Sequence, residues 1–221
     1  MSFVAPRLVL VTPVVTDADA FRPALSEAMA SGGVASVLLR LGSADERTLI
    51  NRVKALAPIA QGREAAVVVE LVDGHGFGHD AAQIATRGGA DGVHIGDPEE
   101  LRTLRERYRD SHIIGAGQLE TKHDAMQAGE VGADYVMFGE PDEAGQSPPF
   151  EPLLERAHWW AEIFETPCVV IAPTLDAIAE VAETGVEFVA LGAPVWTHEA
   201  GPRAAVSQAA AILDRIGDAL P

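Results

Sequence analysis

GGADGVHIGDPEELRTLRERYRDSHIIGAGQLETKHDAMQAGEVGADYVMFGE, residues 88–140, decides the fold of this 221-residue chain. The tripeptide Gly89-Ala90-Asp91 stands before the apolar run Gly92–Ile95, and Gly132-Ala133-Asp134 stands before Tyr135–Phe138. Between them lies a third apolar run, Ile113–Ala116, with Gly117 just beyond it. Each run is short and is followed by a helix-compatible segment of roughly ten or more residues. Short buried strands alternating with amphipathic helices predict a parallel α/β sheet. Glycine in the repeated tripeptide tolerates the left-handed backbone with which many helices end, so it turns the chain into the next strand.

The alternation continues outward in both directions. Upstream, strands are expected at residues 8–12, 34–40 and 65–72, the last almost continuously apolar, as a strand covered on both faces should be. Helices are expected from Asp17 or Asp19 to Ser31, from Asp45 to about residue 60, from Asp80 to Arg87, and from Pro98, with Thr121 capping the next. Downstream come a Pro- and Gly-rich loop at 140–152, a helix at 153–164, strands at Cys168–Ile171 and Phe188–Leu191, and helices at 175–184 and 199–216. About eight βα units without a linker-like break predict one (β/α)8 TIM-barrel domain over residues 1–221. An open doubly wound sheet is the alternative, and short crossovers favour closure. In a closed barrel the loops after the strands carry function.

Composition narrows the partners. Asp and Glu number 33 against 16 Lys and Arg, a formal net charge of −17, which disfavours nucleic-acid phosphates and anionic membranes. Cys168 is the single cysteine, so no intrachain disulfide forms, and its apolar surroundings make it a core thiol rather than a nucleophile. The N-terminus lacks a signal pattern and no apolar run reaches membrane-spanning length, so a cytoplasmic protein is expected.

The runs GADGVHIG, IIGAG and GADYVMFG resemble the thiamine phosphate synthase family, whose thiazole tautomerase branch shares the same pattern. Family members read GADGVHLGQ-[ED]-D, then IIG-V-S-x-H, then GADYVGFGP. The resemblance implies a barrel joining a hydroxymethylpyrimidine pyrophosphate to a thiazole phosphate, with Mg2+, in a homodimer. It also implies roles at matching positions. Arg40 is what remains of Gln-x-Arg-x-Lys, a pattern that helps hold the pyrophosphate. Asp80 and Glu99 fall on the two magnesium carboxylates. Gly117 replaces the serine after strand five, and Leu119 stands where the tautomerase branch has its histidine. The sixth loop lacks the lysine of Thr-x-Thr-Lys, Ala172-Pro173 replace a glycine pair, and Ala193 falls near the serine after strand eight. Substrate contacts therefore fall on Arg40, Gly117, Thr174, Gly192 and Ala193, while Pro173 and Pro194, lacking N–H groups, thin a backbone phosphate cradle. The pattern is that of a divergent paralogue with an incomplete motif set.

Each candidate has a plainer structural reading beside it. Asp80 with Glu99, and with Asp97, makes an oxygen-rich magnesium site, or else these are helix-N-terminal acids favoured by the helix dipole. His75 and His79, on the Gly-rich loop DGHGFGH, together with His94 on the next strand, suit a transition metal or a general base, or else the loop is a polar lid. Arg40 faces an anionic ligand or pairs with Glu70 on the neighbouring strand. Trp159 and Trp160 cannot both face inward on one helix, which leaves one for a subunit interface, and Trp196 is placed to line the pocket. Three functions follow: a thiamine phosphate synthase-like transferase, a non-catalytic or regulatory paralogue that binds a phosphorylated metabolite, or another barrel enzyme using the His-rich loop.

Overall fold

The computed structural model describes residues 5–72, 80–108, 111–142 and 145–218. Its eight strands are β1 (Arg7–Val11), β2 (Val34–Leu41), β3 (Ala66–Leu71), β4 (Gly92–Ile95), β5 (Ile113–Ala116), β6 (Tyr135–Phe138), β7 (Cys168–Ile171) and β8 (Phe188–Leu191). All neighbours are parallel, and β1 pairs with β8, so the sheet closes into a (β/α)8 barrel. The helices are α1 (Ala18–Met29), α2 (Glu46–Gln61), α3 (Ala81–Gly88), α4 (Pro98–Tyr108), α5 (Lys122–Val131), α6 (Phe150–Ile163), α7 (Ile178–Glu183), α8 (Ala193–Trp196) and α9 (Pro202–Asp218).

Local chemistry sets the helix starts. Asp17, Asp45, Asp80 and Thr121 each accept a backbone N–H of the first turn, satisfying donors that the helix itself leaves unpaired. Three helix starts differ from expectation. Helix α6 begins three residues early, at Phe150. Helix α7 begins only at Ile178, because Thr174 Oγ1 accepts the Ala177 N–H and holds a turn ahead of it. The segment after β8 forms the one-turn α8, and Gly201 then turns the chain so that α9 starts at Pro202.

The Gly-Ala-Asp repeats act through both ends of the tripeptide. Gly89 and Gly132 close α3 and α5 with φ of 85° and 94°. The aspartates then stitch the sheet: Asp91 Oδ2 accepts the Val67 N–H at 2.7 Å while the Asp91 N–H donates to Val67 O at 2.8 Å. Asp134 treats Ile114 the same way, at 2.7 and 2.9 Å. A longer version follows Gly185, where Glu187 Oε2 accepts the Cys168 N–H at 2.8 Å.

Two apolar layers result. The larger lies between strands and helices and includes Trp160, fully buried against Phe138 and Phe164. The smaller fills the barrel with Val9, Val11, Leu38, Val68, Met137, Val169 and Ala190. Below it, a cavity of about 290 Å³ opens at the N-terminal end of the strands beside Ser36, Ala66 and Phe188. Trp159 is half-buried, with the Lys122 ammonium 4.4 Å from its ring centre. Cys168 is fully buried, which pushes its thiol well above the ordinary range, as a core thiol requires. Among the described residues no helix is long and apolar enough to cross a membrane.

Candidate functional site

Side chains alternate along a strand, so the residues two beyond the barrel's apolar filling reach its C-terminal mouth. On β2 and β3 these are Arg40 after Leu38 and Glu70 after Val68, partners in register. Arg40 Nε donates to Glu70 Oε2 at 2.7 Å, and the Arg40 N–H donates to Thr12 Oγ1 at 3.0 Å. The pairing with Glu70 is thus realised. It uses Nε, and among the described residues the two terminal guanidinium nitrogens make no hydrogen bond.

Across the mouth, His94 on β4 is opposite Gly115 on β5, and Gly115 is opposite Tyr135 on β6. A Cβ on Gly115 would come within 2.0 Å of Tyr135 Cζ, so only glycine lets the tyrosine ring lie over β5 and reach the histidine. His94 Nδ1 is 2.8 Å from Tyr135 Oη, and the two rings stack at 5.6 Å. His94 Nε2 lies 3.0 Å from Glu140 Oε1, the first residue beyond the glycine that ends β6. The other carboxylate oxygen, Oε2, accepts the Gln118 N–H at 2.6 Å.

Both ends of this pair are buried, with side chains only 2% and 9% exposed. Burial alone would lower the His94 pKa, but the charge and hydrogen bond of Glu140 outweigh it and hold it above the ordinary value. Burial would likewise raise Glu140. The His94 charge and hydrogen bond, the Gln118 N–H and the Arg40 charge reverse that and hold it below the carboxylate range. An ionised Glu140 accepts from His94 Nε2–H, and His94 Nδ1 shares a hydrogen bond with the Tyr135 hydroxyl. Burial keeps the Tyr135 hydroxyl neutral. Beside the pair, a cavity of about 330 Å³ is lined by Gln118, Glu120, Met137, Glu140, Asp142 and Arg156. Arg156 Nη1 donates to Leu119 O at 2.7 Å, so the one guanidinium among these residues is already engaged.

The acids expected to hold magnesium sit differently. Asp80 Oδ1 caps α3 through the Gln83 N–H, and Oδ2 pairs with Arg107 at 2.6 Å. Asp97 accepts the Glu100 N–H at the start of α4. Glu99 is 80% exposed and pairs with Arg102. Among the described residues no three of His, Cys, Asp and Glu gather where they could hold a metal. Asp80 and Glu99 are each held in an ion pair with an arginine, Arg107 and Arg102. His75 and His79 lie outside the described residues.

Thr174, Gly192 and Ala193 occupy the β7–β8 side of the mouth, with Gly192 preceding α8. Gly117 follows β5 and donates its N–H to Ile95 O. Trp196 is half-buried against Phe21 and donates Nε1–H to Val11 O. Sequence reasoning puts Gln118 and Glu140 on loops after the strands, where function is expected, without giving either a role, and it missed Tyr135. The available signal was position: a carboxylate one residue past a strand-ending glycine, on the functional face of a barrel.

Comparison with known proteins agrees with this architecture. The family model described as thiamine monophosphate synthase matches residues 8–195. The chain is 37% identical to a thiamine-phosphate synthase of Rhodospirillum centenum over 204 residues, covering 91% of this chain and 94% of that one. It is 38% identical to a thiamine-phosphate synthase of Hyphomonas neptunium over 209 residues, 90% of each chain. The thiamine phosphate pyrophosphorylase structure from Pyrococcus furiosus superposes with a TM-score of 0.76, covering 95% of this chain and 96% of that one at 24% identity.

Proposed function

Because the chain belongs to the thiamine monophosphate synthase family, we propose that it joins a hydroxymethylpyrimidine pyrophosphate to a thiazole phosphate at the C-terminal mouth of its barrel. In that reaction the C–O bond to pyrophosphate breaks, with the electron pair leaving on oxygen. The thiazole nitrogen lone pair then forms the new C–N bond, with no net redox change. What the site must supply is charge for the departing pyrophosphate and alignment of the two substrates.

The observation that carries this reading is Arg40, whose terminal nitrogens make no hydrogen bond among the described residues while Nε is anchored on Glu70. Gly192, Ala193 and Thr174 would face the thiazole phosphate from the β7–β8 side. The barrel walls of Val11, Met137 and Ile171 would exclude water from the cationic intermediate. Homodimer formation and a cytoplasmic setting are part of the same proposal.

A coupled assay with purified protein and both precursors, with and without magnesium, tests it. Product formation is expected, and Arg40→Ala should lower kcat/KM at least tenfold. Absence of product from the wild type overturns the synthase reading. A second reading then stands, a non-catalytic paralogue binding a phosphorylated metabolite. It is favoured by the absence of lysine from residues 140–152 and by the engagement of the Gln118 N–H with Glu140. A thermal shift with one precursor and no turnover supports that second reading.

A further inference from the structure

The carboxylate of Glu140 sits where two donors converge, the His94 Nε2–H at 3.0 Å and the Gln118 N–H at 2.6 Å. An imidazole N–H and a backbone amide, one on each oxygen of a single carboxylate, are a donor set that suits an oxyanion. Gln118 holds its place with φ of 53°, in the left-handed region that non-glycine residues seldom enter. Backbone strain at that residue is therefore maintained around an anion that belongs to the protein itself.

Gly117 is tied to the same contact. A Cβ there would lie 2.1 Å from His94 Nε2 and 2.5 Å from Glu140 Oε2, so no other L-residue fits beside the pair. In the synthase pattern quoted above, the position of Gly117 is serine and that of Glu140 is proline. In this chain the serine side chain is gone and a carboxylate reaches into the space beside it. The two departures meet in space, since a Cβ at Gly117 would lie 2.5 Å from Glu140 Oε2.

We propose that Glu140 is an internal anion occupying an oxyanion subsite on the β5–β6 side of the mouth, where it excludes phosphate oxygens and so determines specificity. The donors there are satisfied, and an incoming phosphate meets a carboxylate, with Glu120 and Asp142 lining the same cavity. Phosphate oxygens are left the Arg40 side and the β7–β8 side of the mouth. The assignment concerns which groups the mouth accepts, and it holds whether or not the protein turns substrate over.

Calorimetry with inorganic pyrophosphate tests it on the intact protein. Glu140→Gln keeps the shape and removes the charge, and Glu140→Ala vacates the subsite. Both should bind pyrophosphate at least tenfold more tightly than the wild type. Glu155→Gln, which removes an equal charge from an exposed position on α6, should not. Folded Glu140 variants that bind no more tightly than Glu155→Gln overturn the proposal. Amide NMR of the wild type reads the same point without substitution. On titration with pyrophosphate the Gln118 amide should stay in place while the Arg40 Nε signal moves. A shift of Gln118 at saturation overturns the proposal even if neither variant folds.

Discussion

Arg40 Nε lies 2.7 Å from Glu70 Oε2 at facing positions of neighbouring strands, so the guanidinium charge at this edge of the mouth is already partly neutralised. Replacing Glu70 with Gln frees that charge, and pyrophosphate should bind several-fold more tightly in a titration at low salt. Arg40→Ala leaves a half-buried carboxylate without its partner and should cost about 1–3 kcal/mol in urea unfolding. Unchanged affinity in Glu70→Gln would mean that Arg40 serves the sheet and not the ligand.

The His94–Glu140 pair makes stability depend on pH in a defined way. His94 has a raised pKa in the folded state, so its contribution is fully present below its unfolded value of 6.5 and is lost as pH rises through the folded value. Glu140 has a lowered pKa, so its contribution is present above 4.5 and is lost as pH falls through the folded value. In Glu140→Gln the chief support for the imidazolium is gone and burial dominates. NMR titration of the His94 ring should show a midpoint above 6.5 in the wild type and below it in the variant. A wild-type midpoint under 6.5 contradicts the ion pair.

Gly115 is the space that Tyr135 needs. Gly115→Ala should cost about 1–3 kcal/mol, as overpacking of a filled interior does. Combining it with Tyr135→Ala should recover part of that loss in a double-mutant cycle. Strict additivity would show that the ring does not depend on the missing side chain.

Asp91 satisfies the Val67 N–H and also accepts Gln61 Nε2 at 3.0 Å. Asp91→Ala leaves that strand amide without its acceptor and should lower the unfolding free energy by about 1–3 kcal/mol. Hydrogen exchange should quicken first at Val67. A variant as stable as the wild type would reduce the aspartate to a helix-ending spacer.

The barrel was legible because its signals are local. The strands Gly92–Ile95, Ile113–Ala116, Tyr135–Phe138, Cys168–Ile171 and Phe188–Leu191 lie where apolar runs between turn residues put them. Caps such as Thr121 needed only their own side chain and the next turn. The site was less legible because its contacts are not local. His94 and Glu140 are 46 positions apart, and which acid meets the histidine depends on how three strands lie side by side. Asp80 shows the opposite limit. Its place ahead of a helix was read correctly, but its second partner, Arg107, comes from the far end of α4 and gives no sign in the sequence around it.

The three strand-start acids, Asp91, Asp134 and Glu187, each grip the strand laid down just before their own: Asp91 holds β3, Asp134 holds β5 and Glu187 holds β7. A closed barrel requires its strands to slide past one another by a fixed total stagger. Here part of that stagger is set in instalments, at three of the eight seams, where an acid fixes its strand's offset from its predecessor. No single latch has to find the ends of the sheet, and an error in one offset would be felt at the next seam before it could reach closure.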